Sequence, residues 1–136
     1  MYIVVRSRTI DISIAKIYEK VINMIKKDIY NQYLHYSNIH TECTLSGNYR
    51  KGNQASKKIE SLNAFLKNNF EENKEIIDRL IESSNPGAFL WASNIALDLQ
   101  YRMEEVVKNI IKISKRKDLG LIAFGAEMQL KMRKIL

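Results

Sequence analysis

The chain has 136 residues, 46% hydrophobic and 27% charged, with a formal net charge of +7. That is enough apolar material for one domain with its own core, and no linker or low-complexity stretch marks a second one. A single proline and five glycines leave too few turn formers for a turn-rich β protein, and the lone Cys43 forms no internal disulfide.

The order of the chain predicts helices throughout. Met1 to Arg8, with Tyr2, Ile3, Val4 and Val5, reads as a strand or as an apolar N-terminal arm (residues 1–10) packed on a helix. Its apolar run is too short for a signal peptide, and no window reaches the length of a membrane span. A soluble, cytoplasmic protein is expected. From Asp11 or Ser13, the residues Ile14, Ile17, Tyr18, Val21, Ile25, Ile29, Tyr33 and Tyr36 step by three or four, the amphipathic helical pattern. This helix runs to about Ser46 or breaks once near His35 to His40, and Gly47-Asn48 is its stop signal. A second long helix covers about Tyr49 to Asn69, with Ala55, Ile59, Leu62, Leu66 and Phe70 as its stripe. Gly52 should loosen its first turn.

Four shorter helices follow: about Glu72 to Ser83, Pro86 to Leu99, Met103 to Lys115, and Leu119 to Ile135. Asn85 is a good N-cap and Pro86 suits the first helical position, where a missing N–H costs nothing. Shifting by about 33 residues lays Gly87 on Gly120, Trp91 on Phe124, Ser93 on Ala126, Leu97 on Leu130, Ile77 on Ile110 and Leu80 on Ile113. Residues 71–136 therefore read as two hairpin repeats, and short links make their helices antiparallel. The expected fold is all-α, with antiparallel hairpins that bury their faces against one another.

No catalytic signature is present. The glycines form no phosphate-binding loop. His35, His40 and Cys43, beside Glu42, are the only metal-like set, and a five-residue step from His35 to His40 turns the histidines apart. Glu71-Glu72 and Glu104-Glu105 begin helices, where they answer the dipole. No enzyme activity, metal or cofactor is expected. Binding is the remaining role. Tyr30, Tyr33 and Tyr36 form a column followed by His40, either a partly buried face or a recognition surface. Trp91 is read as core. Asn94, Asp98, Glu127, Lys131 and Lys134 recur by three or four on the second helix of each hairpin, where stacked hairpins expose a continuous surface.

Three segments resemble, in order, blocks of the bacterial family called domain of unknown function 2019: GNYRKGNQASKKIESL (Gly47 to Leu62), NPGAFLWASNIALDL (Asn85 to Leu99) and GLIAFGAEMQLKMRK (Gly120 to Lys134). The resemblance spans about Ser13 to Lys134. Phe89 stands where that family usually has arginine, and Met132 where it usually has tryptophan. The resemblance implies a short right-handed HEAT/armadillo-like solenoid without catalytic residues. It also implies kinship with immunity proteins that bind and occlude secreted bacterial toxins, as in contact-dependent growth inhibition.

The leading expectation is thus a protein-binding immunity module whose partner is a secreted toxin domain, with Tyr33, Tyr36, His40, Asn94, Asp98, Glu127, Lys131 and Lys134 as contact candidates. No membrane or small-molecule partner is expected. The alternative is a nucleic-acid binder using Lys112, Lys115, Arg116, Lys117 and Arg133, with Lys131 and Lys134, on phosphates. The charge of +7 cuts against a basic toxin unless that toxin presents an acidic patch.

Overall fold

A computed structural model of the chain describes residues 8–135. These residues fold into six α-helices: α1 (Arg8–Ser46), α2 (Tyr49–Asn68), α3 (Phe70–Ile81), α4 (Pro86–Leu99), α5 (Met103–Ser114) and α6 (Leu121–Met132). A short 3-10 turn, Lys117–Leu119, precedes α6, and no strand occurs among the described residues. The described residues are all-helical. Of the expected N-terminal arm, residues 1–7 lie outside the described residues, and the rest already belongs to α1.

The α1 helix does not break at His35 to His40. Its continuity follows from what it packs against. Ser37 is fully buried, and a Cβ added to Gly87 of α4 would meet Thr41 Oγ1 at 2.5 Å. A bend there would pull α1 off α4. The turn into α2 uses Gly47 at φ 80°, a left-handed conformation that glycine adopts without cost. Its amide bonds the Cys43 carbonyl at 2.9 Å, and Asn48 caps Lys51 N at 3.3 Å. Gly52 does not loosen the helix as its intrinsic propensity suggests. It is buried, and a Cβ there would lie 3.1 Å from Cys43 Cβ, a tight approach between α1 and α2.

Helix lengths decide what stays uncovered. At 1.5 Å per residue the 39 residues of α1 run about 58 Å, while the 20 of α2 run about 30 Å beside its C-terminal half. Ile17, Tyr18, Val21 and Ile25, read from periodicity as a buried stripe, therefore lie exposed on an overhang. Tyr30, under the Arg79 guanidinium of α3 at 3.9 Å, stands where the body of the protein begins.

The helix bounds recur at an offset of 33 residues, Phe70 to Met103, Ile81 to Ser114 and Leu99 to Met132. Ile77 and Ile110, Ser93 and Ala126, and Leu97 and Leu130 are buried in matching places. The core also holds Ile59, Leu66, Leu80, Ile95 and Val106, all sealed from solvent. Between α4 and α5, Gln100 and Arg102 take left-handed φ of 54° and 51°. Arg102 then reaches Asp78 and Glu82, both at 3.0 Å, and grips Glu105 through two bonds of 2.9 Å. Burial alone would lower the guanidinium pKa. Hydrogen bonds from Glu105, Asp78 and Glu82 outweigh that and hold it above the usual arginine range.

Candidate binding groove

The packing opens between α4 and α6 into a groove of about 540 Å³, closed at its side by α1. Leu90, Trp91 and Gly87 of α4 face Leu121, Ile122, Gly125, Met128 and Met132 of α6, while His40, Thr41 and Thr44 come from α1. The opposite side of α6, Ala123, Ala126 and Leu130, faces the core. Gly125 carries no neighbour within 4 Å of a Cβ position, so the gap is real space rather than a tight helix crossing. Met132 is 79% exposed at its mouth.

One end of the groove is bridged by polar groups. Gln129 Nε2 donates to Ser93 Oγ at 2.7 Å and to Asn94 Oδ1 at 3.1 Å, and Ser93 Oγ donates to the Leu90 carbonyl at 2.6 Å. Arg133 Nη2 bonds Asn94 Oδ1 at 3.1 Å and pairs with Asp98 at 3.0 Å, while Asp98 also takes Lys67 at 3.3 Å. Arg133 thus enters the groove with its charge already answered. Opposite it, His40 meets the Trp91 ring edge-on at 5.2 Å, and burial pulls its pKa below the ordinary 6.5. At neutral pH the imidazole is uncharged. The surface offered is apolar and near neutral, with polar groups at its margins, a form suited to an apolar ligand group.

The structure sorts the sequence candidates. His40 and Asn94 line the groove, and Asp98 supports it through Arg133. Tyr33 does not: it is fully buried, its hydroxyl bonding Asn63 Oδ1 at 2.6 Å, so its role is in the core. That burial outweighs the hydrogen bond and raises the phenol pKa. Tyr36 is half-buried and meets His35 edge-on at 5.1 Å. Glu127 and Lys131 pair with each other at 3.1 Å and line no part of the groove. Lys134 takes φ 60° in the turn beyond α6. Trp91, expected in the core, packs partly buried against it and also forms a wall of the groove. Cys43 is buried against α2.

The basic residues are not gathered. Lys112, Lys115, Arg116 and Lys117 end α5, whereas Lys131, Arg133 and Lys134 end α6, its antiparallel partner. The two groups sit at opposite ends of that hairpin, about 18 Å apart along twelve residues of helix. Arg116 pairs with Asp118 at 2.7 Å, an exposed bond that raises the arginine pKa and lowers that of the aspartate.

No family model, curated relative or solved structure matches the chain. The three sequence segments Gly47 to Leu62, Asn85 to Leu99 and Gly120 to Lys134 map onto the turn into α2 with most of α2, onto α4 with its cap, and onto α6. The groove is built between the last two.

Proposed function

We propose that this chain is a non-catalytic protein-binding module, and that its role is to bind and occlude a partner in the manner of an immunity protein against a secreted toxin domain. The hairpins would stack as a short right-handed HEAT-like solenoid, and the α4–α6 groove would take an apolar anchor from the partner. The supporting observation is the contiguous apolar strip of Leu121, Met128 and Met132 facing Trp91, open to solvent and rimmed by polar groups. Exposed apolar surface of this kind marks interaction sites, and aromatic and methionine side chains suit their centres. Cytoplasmic placement belongs to the same proposal. No described helix is long and apolar enough to cross a membrane.

The nucleic-acid reading draws less from the structure. Its two basic groups lie at opposite ends of a hairpin, and Arg116 and Arg133 are engaged by carboxylates. Capture from lysate of the native bacterium, nuclease-treated and washed at low and high salt, separates the readings. A single stoichiometric protein that resists high salt, and is lost with Leu121→Glu/Met132→Glu, is the expected result. Nucleic acid that leaves with salt would overturn the proposal, because phosphate contacts weaken steeply as salt rises.

A further inference from the structure

We propose that the overhanging half of α1 is a self-association surface, on which a second copy of this chain packs antiparallel through Ile14, Ile17, Val21 and Met24. The inference is independent of the groove and its partner. Beyond Tyr30 the helix leaves the body of the protein, yet its sequence keeps an apolar seam. Ile17 and Met24 are each 64% exposed, Ile25 55%, Tyr18 49% and Val21 47%. An isolated surface leucine or methionine needs no explanation, but five large apolar residues on one overhanging face do.

The spacing names the occupant. Ile14, Ile17, Val21 and Met24 step three, four and three, the a and d positions of two heptads, with Tyr18 and Ile25 widening the seam at e. A second helix with the same 3.5-residue repeat is the complement of such a seam, and every copy of this chain carries one. The exposed parts of the five residues amount to roughly 500 Å² per copy, or about 1,000 Å² for a symmetric pair, the lower bound for a specific interface. A twofold pair uses the same patch on both copies and closes on itself.

Opposed helix dipoles favour an antiparallel pair. With Ile17 level with Val21 of the second copy, Met24 stands level with Ile14, so the apolar residues of the two seams meet layer by layer.

Sedimentation equilibrium on the full chain tests this, together with cysteine cross-linking in which the buried Cys43 is left in place. The expected result is a dimer dissociating in the micromolar range, as an interface of this size implies. Val21→Glu should be monomeric at every concentration with an unchanged far-ultraviolet spectrum. An equimolar mixture of I17C and V21C should cross-link between the two variants, and neither should cross-link to itself. A wild-type chain that stays monomeric at several hundred micromolar would overturn the proposal, whether residues 1–7 or another protein covers the seam. So would a Val21→Glu variant that still dimerises, or I17C linking to itself faster than to V21C, which would mean a parallel pair.

Discussion

The Tyr33 hydroxyl donates to Asn63 Oδ1 at 2.6 Å, and Asn63 Nδ2 passes a 3.1 Å bond on to the Trp91 carbonyl. One side chain of α2 thus ties α1 to α4 behind the groove wall. Tyr33→Phe keeps the ring and leaves Asn63 Oδ1 without its donor, at a cost of about 1–3 kcal/mol. Calorimetry should show a midpoint lowered by several degrees. The raised phenol pKa adds a pH signature. The folded state holds the Tyr33 proton more tightly than the unfolded chain, whose phenol titrates near 10.0. Stability from this group is intact below pH 10.0 and falls as pH rises through the folded value. The Phe variant should lose this slope.

Arg102 separates charge from backbone. Arg102→Ala removes the bonds to Asp78, Glu82 and Glu105 and keeps a Cβ at φ 51°. Arg102→Gly removes the same bonds and relieves the left-handed strain. Partly exposed pairs of this kind contribute about 1–2 kcal/mol together, and the glycine should recover up to about 1 kcal/mol of the loss. Urea unfolding of the three proteins checks the order wild type, Gly, Ala. High salt should narrow the gap between wild type and both variants.

Two helical glycines should answer alanine with opposite signs. At Gly87 the new methyl group meets Thr41 Oγ1 at 2.5 Å, so Gly87→Ala should destabilise by about 1–3 kcal/mol as α4 is pushed from α1. Adding Thr41→Ala should restore much of that loss, a coupling that a double-mutant cycle reads directly. At Gly125 the methyl group enters open space, and the gain in helix propensity should stabilise by about 0.5–1 kcal/mol.

His40 reports on the groove. Burial lowers its pKa, so protonation opposes folding: stability is full above the unfolded value of 6.5 and declines as pH falls through the folded one. Its imidazole proton shifts in an NMR titration should show a midpoint below 6.5. An apolar occupant of the groove dehydrates the ring further and should move the midpoint lower still. A midpoint that does not respond to the bound partner would place the partner elsewhere.

Local signals in the sequence were enough for most helices. Asn85 and Pro86 marked the start of α4, where Asn85 Oδ1 accepts from Ala88 N at 3.2 Å, and Gly47 marked the end of α1. What escaped was nonlocal. Periodicity assigned Ile17 and Val21 to a core because it cannot see that α2 ends before reaching them. Tyr33 and Tyr36 share a face by spacing, but only Tyr33 is sealed from solvent, while Tyr36 packs partly buried at the edge of the core. Gly52 carries a propensity cost in isolation, and its close approach to Cys43 at 3.1 Å is visible only in the fold. The groove had no local signature, since it is the distance between α4 and α6. Met128 and Met132 are apolar at core spacing, and that pattern is the same for a buried face and for one awaiting a partner.

Chains of hairpins in which each touches only its neighbours tend to unravel from the ends, one unit at a time. Here α1 lies against α2, α3, α4 and α6, so the first helix also clasps the last. Loss of α6 cannot proceed as an independent fraying of the C-terminus, because it strips a side of α1 as well. Amide protons in α6 should therefore exchange in one cooperative step with those of α1 from Tyr33 to Thr44. In the Val21→Glu variant, with no second copy packed on it, the overhang before Tyr30 should exchange earlier and alone.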